Sequence, residues 1–97
     1  MVEQRTSETK ITDLAIHRPD KEPHQLHRRE YTFYRGAWYA RVPYSDPHID
    51  LTANLGSHQV IEHNDGTLTV SPSILVSDGA AGHQWHGFLE RGVWREA

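Results

Sequence analysis

A serine at 73 and a histidine at 86 stand in two apolar stretches, SPSILV (71–76) and WHGFL (85–89), with the glycine-rich run SDGAAG (77–82) between them. The pair has the residue types of a nucleophile and its base. A serine hydroxyl attacks a carbonyl only when a neighbouring group takes its proton, and imidazole is the usual acceptor near neutral pH. A third group orients the imidazole in the fuller arrangement, and Asp78, Asp65 and Asp50 are the candidates for it. Backbone N–H groups of SDGAAG are the expected source of an oxyanion site. The competing reading is that Ser73 and His86 are ordinary polar residues on an exposed strand face.

Which of these holds depends on the elements that carry them. In TLTVSPSILV, alternation puts Leu68, Val70, Ile74 and Val76 on one face and turns Ser73 to the other. In the same way His86 points away from the face of Trp85 and Leu89. Pairing of the two strands across SDGAAG therefore brings Ser73 and His86 to one sheet face. Pro72 has no N–H to give to a ladder, which predicts an edge position or a bulge just before Ser73.

Other stretches read as strands too. YTFYRGAWYARV alternates, with Gly36 permitting a turn or bulge and Tyr34, Trp38, Ala40 and Val42 expected on one side. PYSDP is a turn, HIDLTANL gives a further short strand, and Asn64-Asp65-Gly66 marks a hairpin between strands at 58–63 and 67–76. A last hairpin turns at Glu90-Arg91-Gly92. The sum is an all-β domain of five to six short strands, a small antiparallel sheet or partly open barrel.

All nine aromatic residues lie after position 30. The core is therefore expected in a body at 29–97, built on Trp38, Trp85, Trp94, Tyr34 and Tyr39, behind a flexible polar arm, or a loosely docked one, at 1–28. ITDLAIH within the arm has the character of a short helical turn or strand. Charge divides along the chain: residues 1–30 carry six basic and six acidic side chains, residues 31–97 four and seven. An acidic body argues against a nucleic-acid partner.

No stretch approaches the roughly 18 apolar residues of a membrane span, and the polar opening MVEQRTSETK is unlike a signal peptide, so a cytoplasmic chain without a membrane partner is expected. With no cysteine, disulfides and thiolate sites are excluded. Eight histidines raise a separate reading, in which His58, His63, His83 and His86 converge on zinc, although positions 83 and 86 face opposite sides of a regular strand. Exposed sheet edges in so short a chain favour a homodimer.

HIDL (48–51), DGTLTVSPSILV (65–76) and WHGFLERGVW (85–94) together resemble the small bacterial, phage and prophage family called domain of unknown function 6527, over about residues 37–95. The resemblance implies a serine-type peptidase of the kind that accompanies bacterial ubiquitin-like conjugation operons, with Ser73 as nucleophile and His86 as base. It implies a peptide or ubiquitin-like tail as substrate. The family's cysteines are missing: Tyr44-Ser45-Asp46-Pro47 replaces its Cys-rich turn, and Ala81 or Gly82 stands near another. The alternative is a noncatalytic phage accessory or protein-binding module that uses the same sheet face.

Overall fold

The computed structural model describes residues 13–80 and 82–97. It is all-β. Eight strands run in chain order: β1 (Ile16–His17), β2 (Glu30–Tyr34), β3 (Ala37–Arg41), β4 (Thr52–Asn54), β5 (Gln59–Glu62), β6 (Leu68–Ser77), β7 (Gln84–Glu90) and β8 (Val93–Glu96). They form two four-stranded sheets, each in sequential order, and every pairing is antiparallel except β1 with β2. A bridge from Leu14 to Val93, with Ala15 N–H donating to Gly92 O at 2.8 Å, joins the sheets along one side, which gives the character of a partly open barrel.

Eight strands stand where five to six were expected. YTFYRGAWYARV splits into β2 and β3 at Arg35-Gly36, whose φ values of 49° and 86° are those of a two-residue hairpin turn with both central residues left-handed. That turn also corrects the expected face. Tyr34 pairs with Ala37 and Phe33 with Trp38, so Tyr34 lies opposite to Trp38 and Ala40 and stacks edge-on against Tyr39 instead of entering the core.

In its described part the arm expected at 1–28 is docked and not flexible, and the strand alternative for ITDLAIH is met by β1. β1 pairs with β2, the 3-10 turn Pro23–Gln25 follows, and Leu26 is buried. Ion pairs hold this segment down: Lys21 Nζ lies 2.7 Å and Arg18 Nη1 3.0 Å from the Glu30 carboxylate. Residues 1–12 of that expectation lie outside the described residues.

The core lies between the sheets. Tyr31, Ala40, Val42, Leu51, Ala53 and Leu55 meet Leu68, Val70, Ile74, Trp85, Leu89 and Trp94, and Trp38 is half-buried against them. Trp85 and Trp94 pack edge to face at 5.7 Å, a geometry that aromatic quadrupoles favour. The inward faces of β6 and β7 are those that alternation predicted, so their other faces are left to solvent.

Candidate active site

β6 is an inner strand, and the irregularity that Pro72 predicted is a bulge. On its β7 side, Val70 pairs with Leu89 and Ile74 with Gly87, so Ser71, Pro72 and Ser73 stand opposite the single residue Phe88. Two extra residues preserve the alternation, because the side-chain period is also two. Val70 and Ile74 therefore both face the core, and Ser73 remains on the outer face.

His86 pairs with Leu75 and shares that face. Its Nε2 lies 2.9 Å from Ser73 Oγ, within the reach a nucleophile and base require. Ser73 is half-buried and His86 exposed. A second histidine fixes the serine from the other side. His58 Nε2 donates to the Ser73 carbonyl oxygen at 3.1 Å, which places the His58 proton on that nitrogen. The His58 Nδ1 is buried and meets no polar partner among the described residues.

None of the three aspartates reaches His86. Asp78 lies beyond the end of β6, and its carboxylate accepts from the Ala80 N–H at 2.9 Å and pairs with His83 Nδ1 at 2.9 Å. Those two contacts hold its carboxyl below the usual range, the Ala80 N–H contributing most. Asp78 as orienting group of His86 is thus corrected: a loop carboxylate is captured by the nearest loop donors before it can reach a strand residue several rungs away. Asp65 is held by the Thr67 hydroxyl and N–H at 2.7 and 3.0 Å, and Asp50 by Arg41 at 3.2 Å. Among the described residues, Nδ1 of His86 has no protein partner.

Among the described residues, the loop does not provide the expected oxyanion site. Gly79 N–H donates to Ser77 Oγ and Ala80 N–H to Asp78, while Ala81 lies outside the described residues. Ser73 is four residues from Ser77, about 13 Å along an extended strand.

Nor do the histidines converge. His58 is at the Ser73 carbonyl, His63 at Thr69 Oγ1 (2.6 Å), His83 at Asp78 and His86 at Ser73 Oγ. Among the described residues no three His, Asp or Glu side chains gather as a metal would require.

Beside the pair is an open concavity of about 410 Å³, lined by Thr69, Ser71, Pro72, Ser73, Phe88 and Glu90. It lies at the bulge, where Ser71–Ser73 stand opposite Phe88. The sequence marked the bulge through Pro72, but gave no sign that Phe88, Glu90 and His58 would gather around it, since these contacts are long-range. Comparison of the chain with family models, with curated proteins and with solved structures finds no match.

Proposed function

We propose that the protein is a small serine-type hydrolase in which Ser73 is the nucleophile and His86 the base. The observation that carries this reading is the 2.9 Å contact between Ser73 Oγ and His86 Nε2. With Nε2 unprotonated, the Ser73 hydroxyl donates to it. As Oγ bonds to a substrate carbonyl carbon, the proton passes to Nε2, and His86 returns it to the leaving amine or alcohol when the carbon–heteroatom bond breaks. A water activated by the same nitrogen then releases the acyl group and restores the serine.

Positioning falls to the fold. His58 anchors the Ser73 carbonyl, and the β6–β7 pairing sets the His86 side chain beside the hydroxyl. The resemblance described above adds the substrate class, a peptide or ubiquitin-like tail. An open face suits an extended chain better than an enclosed small molecule.

A fluorophosphonate probe tests the nucleophile. Wild-type protein is expected to label, Ser73→Ala to lose labelling, and His86→Ala to label at least about 100-fold more slowly. Labelling retained in a folded Ser73→Ala variant rules out the assignment.

A noncatalytic protein-binding module is the second reading, and Leu75 favours it. This leucine is 61% exposed on the same outer face, beside His86. A wild-type protein that fails to label but loses a bound partner on Leu75→Ser decides for that reading.

A further inference from the structure

The concavity beside Ser73 changes character along its length. Ser73 stands at one end, Pro72 and Phe88 form an apolar middle, and Glu90 closes the other end opposite Thr69. We infer that it is the subsite for a lysine or arginine side chain of an extended peptide, whose adjoining carbonyl then lies at Ser73 Oγ. The inference rests on the hydrolase reading and gives it a substrate class.

The surface already holds one cation in this way. The Arg95 guanidinium lies 4.3 Å over the Phe88 ring, and its Nη2 is 3.3 Å from Glu90 Oε1. A ring face beside a carboxylate attracts a cation both through the quadrupole and through a charge-assisted hydrogen bond. Arg95 reaches these groups from β8, on one side of β7. The concavity reaches the same two residues from β6, on the other side.

Spacing fits as well. Glu90 stands two residues beyond Phe88, the residue opposite Ser71–Ser73, about 7 Å at the antiparallel strand rise and about the length of an extended lysine or arginine side chain. An extended basic side chain lays its methylene stem across Phe88 and Pro72 and brings its charge to Glu90, the usual division of labour in such residues. Four basic against seven acidic side chains in residues 31–97 also favour approach of a cationic peptide.

The test uses the folded Ser73→Ala variant and a fluorescent peptide carrying lysine, arginine, norleucine or glutamate at one position, with binding read by anisotropy. Lysine and arginine peptides are expected to bind about fivefold or more tightly than norleucine at low salt, and glutamate weakest. Glu90→Gln should remove that preference, while Arg95→Ala, which frees both Phe88 and Glu90, should increase it. Equal binding of lysine and norleucine, no binding of any peptide, or a preference that survives Glu90→Gln overturns the subsite. The fluorophosphonate experiment stands apart from this outcome, because that probe has no basic side chain. Labelling without a basic preference removes the subsite and leaves the nucleophile. A basic preference without labelling leaves a cation-recognising peptide groove and removes the hydrolase.

Discussion

Gly87→Ala is expected to destabilise the protein by about 3 kcal/mol, near the upper end of overpacking costs. Gly87 lies on the inward face of β7, between His86 and Phe88, and pairs with Ile74 on one side and Glu96 on the other. The Trp85 indole folds back over it and occupies the volume a side chain would need. A Cβ at position 87 would fall 2.5 Å from the Arg95 carbonyl oxygen and closer still to the Trp85 ring.

Neither neighbour can yield cheaply. The carbonyl belongs to β8, and the indole is 1% exposed and packed against Trp94. Against a total on the order of 5–15 kcal/mol for a domain of this size, the loss is large. It corresponds to a fall of roughly 12 °C or more in Tm. Urea unfolding followed by tryptophan fluorescence measures it, and a midpoint unchanged from wild type would refute the packing account.

Glu30→Gln is expected to cost about 2–4 kcal/mol at pH 7, with the difference from wild type shrinking in acid. The Glu30 carboxylate is 8% exposed. Burial alone would raise its pKa, but Lys21 Nζ at 2.7 Å, the His27 N–H at 2.7 Å and Arg18 at 3.0 Å together outweigh burial and hold it below the usual range. A carboxyl whose pKa is depressed by folding adds stability above its unfolded value, near 4.3. That stability is lost as pH falls through the lower folded value. Glutamine offers N–H donors where two cations need an acceptor.

Wild-type stability should therefore decline steeply below about pH 4.3, and the variant should decline less over the same range. Chemical denaturation at pH 7 and at successively lower pH checks both statements. A constant difference between the two proteins across the acid range would show that Glu30 is not the titrating group.

How much of this was legible depended on the range of the interaction. Alternation in SPSILV and WHGFL placed Ser73 and His86 on one face, and that reading survived a bulge it had only half foreseen because the bulge adds two residues and not one. Asp65-Gly66 and Arg91-Gly92 marked their turns through local backbone chemistry. Tyr34 was misplaced because the Arg35-Gly36 turn resets the faces, which no count of alternate positions reveals. Asp78 was misassigned because its preference for the donors of its own loop outweighed its proximity in sequence to Ser73. β1 was only faintly legible: Ile16 and His17 are an undistinguished pair, and what makes them a strand is the edge of β2.

The bridge between Leu14 and Val93 spans 79 residues of chain. Closing a flexible loop of that length costs about 4 kcal/mol in chain entropy, against about 1 for a four-residue hairpin turn. The hairpins of both sheets can therefore form on their own schedule, whereas this seam closes only once both sheets already stand. It is a late clasp in folding, and for the same reason the first place where the barrel breathes: the amide of Ala15 should exchange with solvent well before those of β6 and β7.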